Sequence, residues 1–270
     1  MLIVIAVWDT LENQRTWMTR ETLISLMNRV DWRRHRLIIS DNGSCQATQD
    51  QYAEFAKSFP FRVIQNGENI GTARAVNRGW SYRSPGEHVV KMDNDVVIHQ
   101  SGWADQIEEV FQRDPVIGIC GLKRKDLIEC PDHPEPGWRS RLRMLPHKPG
   151  ERWIIVEECG HIMGTCQAYS SALIDKIGYL YQGDWKYGFD DSLAGVRANV
   201  AGFRLVFLPH IEIDHIDPGG NDYTSQKQKD AGVVMGKCVE LMREYRSGQR
   251  SPYHDGGEDA KWSQQHPEKT

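Results

Sequence analysis

Apolar runs of strand length alternate with segments of helical periodicity along the first 122 residues. The alternation predicts strands at the five ranges 2–8, 36–40, 61–64, 88–92 and 116–122. It predicts helices between them at 12–30, 46–58, 72–82 and 101–112. Strand–helix alternation of this kind predicts an α/β fold with a Rossmann-like, doubly wound and mostly parallel central sheet. Ligands of such sheets bind beyond the carboxyl ends of the strands.

Acidic residues follow several of the predicted strands. Asp9 and Asp41 end the first two strands, and the tripeptide Asp93-Asn94-Asp95 ends the fourth. Carboxylates at alternate positions of a strand end point the same way, so they repel and raise each other's pKa. A hard cation such as Mg²⁺ or Mn²⁺ relieves this repulsion and can hold a diphosphate. A polar turn is the alternative, because Asx-rich turns are common.

The regular pattern fails between residues 123 and 152, where prolines and basic residues accumulate around Trp138, and Trp153 follows directly. This stretch predicts an insertion or lid over the site. Beyond it, strands are predicted at 153–156, 204–208 and 211–214, and helices at 170–177, 190–200 and 221–246. The polar segment 248–270 is expected to be disordered. The predicted domains are therefore 1–220, a C-terminal helix at 221–247 and this tail.

Composition narrows the function classes only slightly. A chain of 270 residues with a net charge of -4 permits one large α/β domain and demands neither nucleic acid nor membrane as a partner. Its longest apolar runs are strand-length, too short to span a bilayer. The scattered cysteines predict reduced thiols and a cytoplasmic location. The first strand is not followed by a GxGxxG motif, so no dinucleotide cofactor is indicated.

Five segments in order resemble family 2 of the GT-A glycosyltransferases. They are residues 38–44, 69–79, 93–95, 187–204 and 209–215. The resemblance runs from residue 2 to about residue 219 without the insertion. It implies a GT-A fold with a small second sheet, and an inverting enzyme that moves a sugar from a nucleotide-diphosphate sugar to an acceptor hydroxyl. The implied donor is foremost a UDP-sugar, and the implied cofactor is Mn²⁺ or Mg²⁺.

The same resemblance implies roles for the polar residues at the strand ends. Asp95 and His215 are expected to ligate the cation, with Asp93 near both the metal and the ribose. Asp41 is expected to contact the nucleoside, although a turn cap remains its alternative. The expected donor-binding residues are Asp9, Asp41, Asn69, Gly71, Asp93 and Asn94.

The second acidic pair begins the helix at residue 190. In the family's motif the second residue is the catalytic base, which corresponds to Asp191. Asp190 lies where the family more often has Glu, so the division of labour between the two stays open, and helix capping by Asp190 is an alternative. Trp185 and Tyr187 are expected to form the acceptor pocket, with core packing as the alternative.

The acceptor is the least determined feature. Arg139, Arg141 and Arg143 beside Trp138 would suit a phosphate backbone, so a hydroxymethylated base in DNA is one expectation. Saccharide, protein and lipid-linked acceptors are the others. A nucleotidyltransferase is a further alternative, but the acidic segment 9–12 lacks that class's glycine-rich basic loop. The retention of both Asp95 and Asp191 argues against a non-catalytic sugar or nucleic-acid binding protein.

Overall fold

The computed structural model describes residues 1–126, 141–219 and 222–267. The strands in these ranges form one ten-stranded sheet in the order β3-β2-β1-β4-β9-β6-β10-β8-β7, with β5 paired to β10. The strands are β1 Leu2–Val7, β2 Arg36–Asp41, β3 Arg62–Gln65, β4 Val89–Met92, β5 Val96–Ile98, β6 Ile117–Arg124, β7 Arg141–Met144, β8 Ile155–Cys159, β9 Cys166–Tyr169 and β10 Arg204–His215.

The first half of the sheet is parallel, as the alternation of strands and helices predicts. β1 pairs in parallel with both β2 and β4, and β2 pairs in parallel with β3. These strands are near-continuous apolar runs because helices cover both faces of the sheet. The helices are α1 Thr16–Arg29, α2 Gln46–Phe55, α3 Thr72–Trp80, α4 Trp103–Arg113, α5 Ser171–Ile177, α6 Asp190–Val200, α7 Asp222–Ser247 and α8 Trp262–Gln265.

The second half of the sheet is mixed. β9 runs antiparallel between β4 and β6, and β6 pairs in parallel with β10. The two predicted strands at 204–208 and 211–214 form the single strand β10, whose register shifts between Leu208 and Glu212. Pro209 lies in this shift and lacks a backbone N–H for the ladder. The small second sheet that the family resemblance implies is not separate. Its strands are continuous with the main sheet, because β5 pairs with the end of β10.

Part of the predicted insertion is ordered structure. Residues 141–144 form strand β7, which pairs antiparallel with β8 at the edge of the sheet. Arg139 lies outside the described residues. Among the helices in the described ranges, none combines the length and apolarity needed to cross a membrane.

The expectation of a disordered C-terminal tail is wrong for the described residues 248–267. The Asp259 carboxylate accepts from Nε of Arg74 at 2.7 Å and from Nε of Arg78 at 2.8 Å. The guanidinium of Arg78 also lies 3.9 Å from the centre of the Trp262 ring. The polar composition of the tail suggests disorder because it does not reveal these contacts, whose partners in α3 lie far away in the sequence.

Candidate active site

A cleft of about 470 Å³ opens at the carboxyl edge of the parallel strands. The ends of β1, β2 and β4 form its floor, and the segments 163–165 and 186–191 face them. Its lining includes the predicted site residues Asn69, Asp93, Asn94, Asp95, Tyr187, Asp190, Asp191 and His215. The tertiary structure therefore unites residues from both halves of the chain in a single site.

Asp95 is buried at one side of this cleft. Its Oδ2 accepts from the guanidinium of Arg15 and lies 3.4 Å from Nε2 of His215. Burial favours a raised pKa of the Asp95 carboxyl, but the hydrogen bonds and charges of His215 and Arg15 outweigh burial and hold that pKa below its ordinary value. The other oxygen, Oδ1, is buried and has no hydrogen-bond partner.

These features fit a hard divalent cation. A buried, ionised carboxylate with one unpaired oxygen beside an imidazole provides two protein ligands of the expected kinds. Mg²⁺ and related ions commonly take one or two carboxylates and complete their shell with substrate phosphates and water. Asp95 and His215 are therefore the residues that would hold a metal.

His215 has a second partner, the guanidinium of Arg124. Nη2 of Arg124 lies 3.1 Å from Nδ1 of His215. A guanidinium can only donate, so Nδ1 is the acceptor and a neutral ring carries its proton on Nε2. His215 is thus held between the carboxylate of Asp95 and the guanidinium of Arg124.

Asp93 lines the cleft but belongs to a different cluster. The ligand atoms of Asp93, Asp95 and His215 do not all lie within 4.8 Å of one another. Instead, Oδ1 of Asp93 lies 3.6 Å from the ammonium of Lys91. The expectation that Asp93 ligates the same ion is not supported, because Lys91 offers its carboxylate a fixed cation.

Asp9 supports the acidic tripeptide from behind and does not line the cleft. Its Oδ1 accepts from Nδ2 of Asn94 at 2.8 Å, and its Oδ2 accepts from the hydroxyls of Thr19 at 2.6 Å and Thr48 at 3.2 Å. Burial raises the pKa of the Asp9 carboxyl to about 6. The donor-binding role expected for Asp9 is thus replaced by a role in orienting Asn94.

Asp41 is completely buried and acts as a turn cap. Its Oδ1 accepts from the backbone N–H groups of Gly43 at 3.0 Å and Ser44 at 2.9 Å, and its Oδ2 accepts from the hydroxyl of Tyr52 at 2.9 Å. This is the alternative that Asx turn chemistry predicts. In this structure Asp41 does not contact the cleft, whereas the adjacent Asn42 lines it.

Asn69 lines the cleft and Gly71 does not. Oδ1 of Asn69 accepts from the backbone N–H of Gly71 at 3.0 Å. Gly71 has a φ of 92°, and a Cβ at this position would lie 2.4 Å from the side chain of Gln182. Gly71 therefore permits the close approach of two loops, while Asn69 and the neighbouring Thr72 line the cleft.

Asp190 and Asp191 lie in the first turn of α6. Phe189, with a φ of 64°, occupies the cap position, so Asp190 is not the N-cap of the helix. The helix N-terminus favours two carboxylates in this turn. Oδ2 of Asp191 accepts from the backbone N–H of Gly164 at 2.9 Å, and Oδ1 accepts from the backbone N–H of Ser192 at 2.7 Å.

Lys91 lies between the two acidic pairs and forms ion pairs with both Asp93 and Asp190. It was not among the residues that the sequence predicted at the site. Its buried ammonium lies 3.1 Å from Asp190 and donates to the carbonyl oxygen of Gly164 at 2.9 Å. Burial favours a lowered pKa of Lys91, but the charges of Asp190, Asp93 and Asp191 outweigh it and raise that pKa well above the ordinary value. The available signal was a lysine inside an otherwise apolar strand run.

His161 lies beside Asp191, with Nε2 at 3.9 Å from Oδ2 of the carboxylate. Burial lowers the pKa of His161 more than the charge of Asp191 raises it. The imidazole is therefore neutral at pH 7 and leaves the negative charge of Asp191 in place.

Of the described residues expected to bind the acceptor, one lines the cleft and three do not. Tyr187 lines the cleft, but the indole of Trp185 donates to the carbonyl of Gly188 at 3.1 Å and packs near Tyr181. Arg143 pairs with Asp114 at 2.8 Å. Arg141 pairs with Glu158 at 3.4 Å, and neither arginine lines the cleft. Both guanidinium groups lie within ion-pair distance of Glu158.

A largely parallel α/β sheet with an acidic cleft at its carboxyl edge is the architecture of the GT-A fold. Residues 17–178 match the family described as Glycosyl transferase family 2. This chain belongs to that family. A curated relative, the uncharacterized protein y4gI of Sinorhizobium fredii (strain NBRC 101917 / NGR234), is 23% identical over 229 residues. That match covers 78% of this chain and 24% of the relative, so the chain spans about a quarter of the relative's length.

Solved structures share the fold at low sequence identity. The mannosyltransferase PcManGT from Pyrobaculum calidifontis, in complex with GDP-Man and Mn²⁺, aligns with a TM-score of 0.62 at 15% identity over 87% of this chain and 64% of that chain. GalNAc-T7 with UDP, GalNAc and Mn²⁺ aligns with a TM-score of 0.62 at 16% identity over 98% of this chain and 54% of that chain. S. aureus TarS 1-349 in complex with UDP-GlcNAc aligns with a TM-score of 0.54 at 13% identity over 90% of this chain and 70% of that chain.

Proposed function

We propose that this protein transfers a sugar from a nucleotide-diphosphate sugar to an acceptor hydroxyl, with inversion and with help from a divalent cation. The observation that carries the proposal is the shared cleft. One cleft is lined by Asp95 and His215, the candidate metal ligands, and by Asp190 and Asp191, the candidate catalytic pair. A transferase needs both sets within reach of one bound donor.

The metal-binding side would hold the donor diphosphate. Asp95 and His215 would ligate Mn²⁺ or Mg²⁺, which when bound supplies Lewis-acid stabilisation of the departing diphosphate. Arg15 and Arg124 also line this side of the cleft. Their fixed positive charges favour a ligand that carries several negative charges.

Asp191 is proposed as the base that accepts the proton of the acceptor hydroxyl. Hydrogen bonds from Gly164 and Ser192 fix the orientation of its carboxylate. Asp190 is held by Lys91 at 3.1 Å, so its negative charge is already partnered. This difference supports Asp191 as the base and Asp190 as its positioning neighbour. A single base on the face opposite the leaving group is sufficient for inversion.

The donor is proposed to be a UDP-sugar, with GDP-sugars as the first alternative to test. Two of the similar structures were solved with UDP or UDP-GlcNAc, and one with GDP-Man. Asn42 and Asn69 line the cleft near the end of β2 and offer amide groups to a nucleobase or ribose.

The acceptor is proposed to be a saccharide or a protein hydroxyl. A phosphate-backbone partner would need unpaired cations, and the described Arg141 and Arg143 are each neutralised by acidic side chains. Tyr187 lines the cleft beside Asp190 and offers an aromatic face on which a sugar ring could stack.

Donor hydrolysis across nucleotide sugars, with Mn²⁺, with Mg²⁺ and with a chelator, tests this function. We expect metal-stimulated release of nucleoside diphosphate from one donor class, followed by transfer to a member of a saccharide and protein acceptor panel. Modified DNA belongs in the panel as the competing acceptor. Nucleoside diphosphate release that is unaffected by chelation would refute the metal dependence, and failure of every donor to bind would refute the function.

A further inference from the structure

The proposed cation site lies beside a buried, positively charged side chain, that of Arg15. Arg15 immediately precedes α1, and its buried guanidinium lies between two carboxylates. Nη2 donates to Asp95 and Nη1 donates to Asp217, while Nη2 also lies 3.4 Å from Oδ1 of Asn94. All three charged side chains are almost fully buried.

Asp217 belongs to the segment that follows His215 at the end of β10. The backbone N–H of Ile216 donates to the carbonyl oxygen of Asp95 at 2.9 Å, and Oδ1 of Asp217 accepts from the backbone N–H of Gly219 at 2.9 Å. The loop after His215 is therefore fixed to the acidic tripeptide through both backbone and side chain. Asp217 was not among the residues expected at the site.

Charge balance gives this arrangement a consequence for cation binding. The two carboxylates and the guanidinium of Arg15 together carry a net charge of minus one, and the guanidinium of Arg124, 3.1 Å from Nδ1 of His215, adds a further positive charge beside them. A divalent cation bound at Oδ1 of Asp95 would stand close to the guanidinium that holds Oδ2, and like charges repel strongly where water is excluded. A diphosphate bound in the same cleft would offset that repulsion.

We propose that Arg15 is a positioning residue that makes cation binding at Asp95 and His215 conditional on a bound nucleoside diphosphate. The inference rests on the metal site of the proposed function. It adds an order to binding, because the nucleotide-free site holds the cation weakly and the diphosphate increases its affinity. By linkage, the cation increases the affinity for nucleotide by the same factor.

Calorimetric titration of the purified chain with MnCl₂, with and without UDP or GDP, tests the inference. In Arg15→Met, the nucleotide-free protein should bind Mn²⁺ at least about tenfold more tightly than the wild type, because the repelling charge is gone. UDP should then increase the Mn²⁺ affinity by a much smaller factor than in the wild type. Arg20→Met on α1 removes an exposed guanidinium and should bind Mn²⁺ as the wild type does.

Asp217→Asn separates this role from a merely structural one. Loss of the Asp217 charge removes one of the two carboxylates that balance Arg15, so nucleotide-free Mn²⁺ binding should weaken by roughly threefold or more. If Arg15 only tied the loop to the tripeptide, both substitutions would loosen the same contact and both would weaken Mn²⁺ binding. Opposite effects of Arg15→Met and Asp217→Asn therefore support the proposal, and equal signs overturn it.

A second variant guards against misfolding of Arg15→Met, which leaves two buried carboxylates without their shared cation. The double variant Arg15→Met/Asp217→Asn restores the net charge of minus one and should still bind Mn²⁺ more tightly than the wild type. Wild-type affinity or less in the double variant refutes the inference. Absence of Mn²⁺ binding to the wild type with either nucleotide would instead refute the metal site of the proposed function.

Discussion

The ammonium of Lys91 lies 3.1 Å from a carboxylate oxygen of Asp190, which joins the strand before the acidic tripeptide to the first turn of α6. The same ammonium donates to the carbonyl of Gly164, whose N–H donates to Asp191. A Cβ at Gly164 would lie 2.5 Å from Nζ of Lys91, so a side chain at this position would displace the ammonium from this contact. One buried cation thus links the donor side of the cleft to the proposed base.

Lys91→Met tests that link. Removal of the ammonium leaves Asp190 buried beside Asp93 and Asp191, and breaking a buried ion pair costs about 3–5 kcal/mol of unfolding free energy. Turnover should fall by at least about 100-fold because the base is no longer positioned. Urea unfolding and a donor hydrolysis assay measure the two effects. Lys57→Met, at an exposed position, is the matched control, and equal behaviour of both variants would contradict the assigned role.

Asp191→Asn should separate binding from chemistry. The amide cannot accept the acceptor proton, so turnover should fall by at least about 100-fold. Donor affinity, measured by calorimetry, should stay close to that of the wild type. Asp184→Asn removes an exposed carboxylate of the preceding loop and should retain activity. A wild-type rate in Asp191→Asn would exclude Asp191 as the base.

Asp95→Asn should abolish most Mn²⁺-dependent nucleotide binding while the chain stays folded. The substitution removes the buried anionic oxygen that has no hydrogen-bond partner. Calorimetric titration with UDP and MnCl₂ should show at least about a tenfold loss in affinity, which corresponds to about 1.4 kcal/mol. Asp50→Asn on the surface of α2 is the control. An unchanged titration would show that the cation, if bound, lies elsewhere.

The buried carboxyl of Asp9 predicts a pH dependence of stability. Its pKa is raised from 3.8 to about 6 in the folded protein, so the folded state binds this proton more tightly than the unfolded chain. The stability that Asp9 contributes is present below pH 4 and is lost as pH rises towards 6, by about 3 kcal/mol for two pKa units.

Urea unfolding of the wild type and Asp9→Asn, in a chelator at several pH values, measures this effect. The asparagine cannot titrate, so the unfolding free energy of the wild type should fall relative to that of the variant between pH 4 and pH 6. Above pH 6 the difference between the two unfolding free energies should stay constant. Asp50→Asn should follow the wild type throughout. A constant difference between wild type and Asp9→Asn would contradict the raised pKa.

Asp259→Ala tests the docking of the C-terminal segment on α3. Loss of the carboxylate leaves Arg74 and Arg78 without their shared partner, and we expect a loss of about 1–2 kcal/mol, discounted because Arg74 is partly exposed. The neighbouring Glu258→Ala, at an exposed ion pair with Lys261, should change stability by less than about 0.5 kcal/mol. Equal unfolding curves for Asp259→Ala and the wild type would show that the contact contributes nothing.

The periodicity of the sequence predicted the alternating elements of the parallel half of the sheet, and the motif order predicted the family. It missed β5 and β9, which are short, and β7, which lies in the proline-rich insertion. Such strands depend on pairing with distant partners more than on their own composition. The sequence also indicated which carboxylates follow strands, but not which of them face solvent.

Local patterns therefore determined the elements, the sheet class and the position of the acidic tripeptide, because helix and strand periodicities are properties of neighbouring residues. Only the tertiary structure decided that Asp9 and Asp41 turn inward, that Lys91 holds Asp190, and that Arg15 lies between Asp95 and Asp217. The two carboxylates held by Arg15 lie 80 and 202 residues along the chain from it. Burial and charge pairing at such separations follow from the folded path of the chain.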